Sequence, residues 1–82
     1  MGNIYRRNED IYETIAANIK IYRKRARITQ AELADRAHYS HEFIRRIEAP
    51  NCKKYFSIDT LAQIAKVLDI KIEDLLKGLN NE

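Results

Sequence analysis

The chain has 82 residues, 45% of them hydrophobic and 33% charged, with a formal net charge of +3, two glycines, one proline and one cysteine. That makeup predicts one small soluble domain, too small for a deep substrate pocket with a lid, and the scarcity of glycine and proline favours long helices over strands. The single cysteine, Cys52, excludes an intrachain disulfide and a thiolate metal cluster; His38 and His41 lack partners at zinc-site spacing, so no metal or cofactor is expected.

Charge is unevenly spread. Residues 1–56 hold twelve Lys and Arg against seven Asp and Glu, a net of +5, whereas residues 57–82 hold three against five, a net of −2. A basic front half suits a molecule that presents one face to a polyanion, although an unevenly charged solvated surface gives the same count. No apolar run approaches membrane-spanning length, and residues 1–20 lack the apolar core of a signal peptide. Met1-Gly2 opens like a myristoylation site, but Arg6 stands where Ser or Thr is required. A cytoplasmic location is expected.

Residues 1–8 are polar and expected to form a flexible N-terminal segment, with the folded domain over residues 9–79 and a tail at 80–82. From about Glu9, the spacing of Ile11, Ile15, Ile19, Tyr22 and Ala26 predicts a helix with Lys20, Lys24 and Arg27 on its other face, ending near Arg27. Thr29-Gln30-Ala31-Glu32 forms a capping box, in which the Thr29 hydroxyl accepts from the Glu32 amide and the Glu32 carboxylate reaches back. The helix Gln30–Arg36 buries Leu33 and Ala34. After a tight turn at Ala37-His38-Tyr39, Ser40 caps a third helix running to about Glu48. Ile44 and Ile47 share one face of it, and His41, Glu42, Arg45 and Arg46 the other.

Pro50-Asn51 ends that helix, and residues 51–56 are expected to be a loop. Ser57 caps a fourth helix striped by Leu61, Ile64, Ala65 and Leu68, with Asp59 near its positive end. Ile72, Leu75, Leu76 and Leu79 mark a fifth, ending near Gly78. The fold class is all-α, with five helices.

Two short helices joined by about three residues, the second with a polar outer face, form a helix-turn-helix. On its own such a pair is common. The run Thr29-Gln30-Ala31-Glu32-Leu33-Ala34, then Ser40, Ile44, Ile47 and Glu48, then Leu61, Ile64, Ala65 and Leu68, closely resembles the phage repressor and Cro family, also called the Xre family. The similarity spans roughly residues 11–79, and the size is similar to restriction–modification controller proteins. It implies a lambda-repressor-like DNA-binding domain with the helix-turn-helix at helices 2 and 3, acting as a transcriptional regulator, most simply a repressor.

By position, the resemblance implies that His41, Glu42 and Arg46 read base edges. It implies backbone or phosphate contacts for Gln30, Ser40, Phe43 and Arg45, and for Lys53, Lys54 and Tyr55 in the exit loop, where helix N-terminal amides would help. It also implies an ion pair between Arg23 and Glu48 that ties the first helix to the third. The chemistry is compatible: an arginine fork matches guanine O6 and N7, a carboxylate accepts from cytosine N4, and a histidine bonds a purine N7 or a phosphate. Two departures stand out. His38 occupies a turn position usually held by a left-handed glycine, and Ala49-Pro50 replaces the glycine that usually follows Glu48, so the exit loop is expected to take an altered path.

An enzyme is rejected: Cys52 and His41 are separated by the third helix, and there is no glycine-rich phosphate loop. The competing reading is an antitoxin or another protein-interaction module on the same fold. Specific DNA binding by one such motif generally requires two half-sites, so a homodimer on a palindromic double-stranded operator is expected. Ile70, Ile72, Leu76 and Leu79 are the candidates for its interface, unless they complete the monomer's own core.

Overall fold

The computed structural model describes residues 4–49 and 56–78, with side chains described from Ile11 onward. These residues form five helices and no strand: α1 (Ile4–Arg25), α2 (Gln30–Ala37), α3 (His41–Glu48), α4 (Ile58–Leu68) and α5 (Ile72–Leu75).

Helix α1 starts at Ile4 rather than near Glu9, since no glycine or proline interrupts the chain between Ile4 and Arg25. It buries Ile15, Ala16 and Ile19, with Ile11 and Tyr22 packed partly against the core. Ala26, which the apolar spacing placed on the same stripe, lies beyond the helix end and is exposed. The helix closes at Arg27 in the left-handed region (φ 61°), with the Ile28 amide donating to the Arg23 carbonyl and the Arg27 amide to that of Lys24. The same closure recurs at His38 after α2 (φ 65°) and at Asp69 after α4 (φ 58°).

The three helix starts expected from the sequence are formed by local hydrogen bonds. Thr29 Oγ1 accepts from the Glu32 amide at 3.0 Å while Glu32 Oε1 accepts from the Thr29 amide at 2.8 Å. Ser40 Oγ accepts from the Phe43 amide at 3.0 Å, and Ser57 Oγ from the Thr60 amide at 3.2 Å. Helix α3 stops because Ala49 precedes Pro50 and is extended (φ −67°, ψ 140°), the region a pre-proline residue prefers.

Helix α5 is shorter than the expected span to Gly78. Asn18 Nδ2 donates to the carbonyls of Leu75 (2.8 Å) and Lys77 (3.0 Å), so a side chain of α1 satisfies groups that another helical turn would have used. The chain then turns through Gly78 at φ 96°. Ile70, Ile72 and Leu76 are half-buried against the core, and Leu79 lies outside the described residues.

Ile19, Leu33, Ile44, Ile47, Ile64 and Leu75 form the fully buried centre, so all five helices contribute to one core. Each such side chain contributes about 1.5–3 kcal/mol of hydrophobic stabilisation. Phe56 closes one side, its ring edge-on to Tyr12 with centroids 5.0 Å apart. Helix α4 is also strapped to the α2–α3 turn: Tyr39 Oη donates to Thr60 Oγ1 (3.2 Å) and Gln63 Nε2 to the Ala37 carbonyl (3.4 Å).

Candidate nucleic-acid interface

The position of α3 is set from beneath. Ile44 and Ile47 face the core, and Glu48, only 2% exposed at its side chain, meets Arg23 of α1. Arg23 Nε donates to Glu48 Oε2 at 2.7 Å and Nη2 to Oε1 at 2.9 Å, a fork-on-carboxylate contact. Arg23 Nη1 reaches the Ile28 carbonyl at 2.9 Å, and Gln30 Nε2 donates to Glu48 Oε1, also at 2.9 Å. The buried carboxylate is therefore held by three donors from α1 and the start of α2. Breaking the set would leave a desolvated charge, so α3 cannot tilt freely on the body.

The angle between α2 and α3 is set by the turn. The left-handed His38 reverses the chain within one residue, and Tyr39 stacks at a tilt on Phe43, with centroids 4.8 Å apart. Phe43 is thereby half-buried beside the turn. The Ser40 oxygen is already used as a cap, which leaves its hydroxyl proton available to donate outward.

On the outer face, His41, Glu42, Arg45 and Arg46 are all exposed. The three basic side chains among them are paired with acidic neighbours. His41 Nε2 lies 2.9 Å from Asp35 Oδ1, across the turn on α2. Glu42 pairs with Arg45 one turn on and approaches Arg46 Nε at 3.4 Å. Lys53, Lys54 and Tyr55, assigned to backbone contacts from the sequence, lie outside the described residues, as does the exit loop after Ala49.

Sequence reasoning missed Asp35, whose only signal was an acidic residue in the last turn of α2, six positions before His41. The Tyr39–Thr60 and Gln63–Ala37 contacts left no sequence signal, because they depend on how α4 crosses the turn.

Two short helices, a three-residue turn and an exposed polar face on an anchored second helix define a helix-turn-helix, the class of protein that inserts its second helix into a DNA groove. The chain belongs to the Cro/C1-type helix-turn-helix DNA-binding domains, whose family model matches residues 18–78. The match covers α2, α3, α4 and α5 and the end of α1, and it makes the chain a DNA-binding protein. No curated protein and no solved structure matches it. Among the described residues, no helix is long and apolar enough to cross a membrane.

Proposed function

We propose that this chain is a cytoplasmic, homodimeric transcriptional repressor that reads a palindromic double-stranded DNA operator with α3. The observation that carries the reading is the contrast between the two sides of α3. Beneath, Glu48 is locked by Arg23 and Gln30; outside, the polar side chains of His41, Glu42, Arg45 and Arg46 stand exposed from one helix face.

In this reading His41, Glu42 and Arg46 face base edges, with Arg46 forking onto a guanine. Arg45, Ser40, Gln30 and Phe43 lie along the sugar–phosphate backbone, joined by Lys53, Lys54 and Tyr55 from the exit loop. The second subunit docks through the partly exposed apolar side chains of Ile70, Ile72 and Leu76, with Leu79, and places its α3 one helical turn of DNA away.

Selection of bound duplexes from a random-sequence library, followed by sequencing, tests the proposal. A site with two-fold symmetry is the expected result. If no sequence is enriched at moderate salt, operator reading fails and an antitoxin-like protein partner becomes the better reading.

A further inference from the structure

The outer face of α3 is basic by residue type yet largely neutralised by its own neighbours. Arg45 and Arg46 are offset by Glu42, and His41 is drawn to Asp35. We propose that Glu42 is a positioning residue: it holds both arginines in place and discourages them from phosphate of any sequence, so that Arg46 discriminates among bases. The inference rests on the reading of α3 as the DNA-reading helix, and it assigns Glu42 an action through the arginines in place of a direct bond to cytosine.

The spacing and the atoms carry it. Glu42 lies three residues before Arg45 and four before Arg46, the two positions that share its helix face. Its side chain is 55% exposed, as is that of Arg46, so water screens the pair and the contact steers the guanidinium without locking it. The closest approach to Arg46 is at Nε, the inner edge of the guanidinium. The terminal nitrogens lie farther along the side chain, and they can fork onto guanine O6 and N7 with the Glu42 contact kept. Turning either guanidinium onto a phosphate brings that anion beside the Glu42 carboxylate or strips the carboxylate of its partner, and both are unfavourable next to a polyanion. Phosphate contacts supply most sequence-independent affinity, so this penalty falls on non-specific binding first.

Glu42→Gln keeps the shape and removes the charge, on a residue exposed enough to leave the fold alone. Its affinity is to be measured on the selected operator and on a scrambled duplex across a salt series, with thermal unfolding as a check on the fold. The expected result is tighter binding to the scrambled duplex and a salt slope steeper by about one. The ratio of operator to scrambled affinity should fall by roughly fivefold or more, the lower bound of what one arginine fork discriminates. On an Arg46→Ala background the same substitution should not lower that ratio further. The proposal is overturned if Glu42→Gln changes the preferred base at its own position with the salt slope unchanged, or if its effect on the ratio is undiminished without Arg46. If the wild-type chain enriches no site and binds no duplex in a salt-dependent way, the reading of α3 itself has failed, and the role of Glu42 falls with it.

Discussion

Arg23 and Glu48, twenty-five residues apart, meet through two hydrogen bonds of 2.7 and 2.9 Å in a place where their side chains are 9% and 2% exposed. Arg23→Ala or Glu48→Ala leaves the other charge buried and unpaired, at a cost of about 3–5 kcal/mol. That is a large share of the roughly 5–15 kcal/mol that holds a typical domain together. Replacing both with methionine and leucine should recover most of the loss. Urea unfolding followed by circular dichroism measures all three variants. A single-substitution cost below about 1 kcal/mol would show that water reaches the pair and that it does not anchor α3.

His38 holds a left-handed backbone that glycine adopts without a Cβ clash. His38→Gly should therefore stabilise the fold by about 1 kcal/mol, less whatever the looser unfolded chain gains. For a domain of this size that raises the midpoint of thermal unfolding by about 4–8 °C. A lowered midpoint would mean that the imidazole makes a contact more valuable than the strain it causes.

Arg46 is exposed and outside the core, so Arg46→Ala should leave the unfolding midpoint almost unchanged while relaxing the preference at one base pair by about 1–3 kcal/mol. Lys54→Ala, by comparison, should weaken binding to every sequence alike and reduce the salt slope by about one. Competition binding on single-base variants of the operator separates the two. A uniform loss from Arg46→Ala would place that residue on the phosphates.

Asp74 has a carboxyl held below the ordinary carboxylate value of about 3.9, first by the Lys71 amide that donates to its Oδ2 at 3.0 Å, then by nearby Lys77. A depressed folded-state pKa means that the contribution is present above the unfolded value and lost as pH falls through the lower, folded one. The difference in stability between the wild type and Asp74→Ala should accordingly hold near neutral pH and shrink below about pH 4. Thermal unfolding at a series of pH values reads this directly, and a difference that persists undiminished in acid would point to packing instead.

The parts of this fold that were legible in the sequence are those governed by neighbours. Thr29, Ser40 and Ser57 cap helices because each hydroxyl needs only the amide three residues on. The stripes of α3 and α4 were equally plain, since Ile44, Ile47, Leu61, Ile64, Ala65 and Leu68 are all buried. Periodicity does not mark where a helix stops, and for that reason Ala26 was misplaced on the α1 stripe. In the site, the resemblance named Arg23 with Glu48, and the structure puts them in contact. The pairing of Glu42 with both arginines is implicit in spacings of three and four residues, but spacing alone does not say whether charges on one exposed face meet or point into solvent. Asp35 came to His41 through the turn, a relationship that spacing along one helix cannot express.

Asn18 bonds to the carbonyls of Leu75 and Lys77 across 57 and 59 residues, whereas the contacts that build the α2–α3 corner lie close along the chain. Closing so long a loop costs chain entropy before any contact rewards it. Helix α5 is only four residues long, too short to stand alone, and depends on its packing against α1 and α4. The order of assembly follows: the α2–α3 corner can form early from local contacts, while α5 docks onto α1 last. In the native protein the same step runs backward most readily, so amide hydrogens of α5 should exchange with solvent through openings that leave the α2–α3 corner intact.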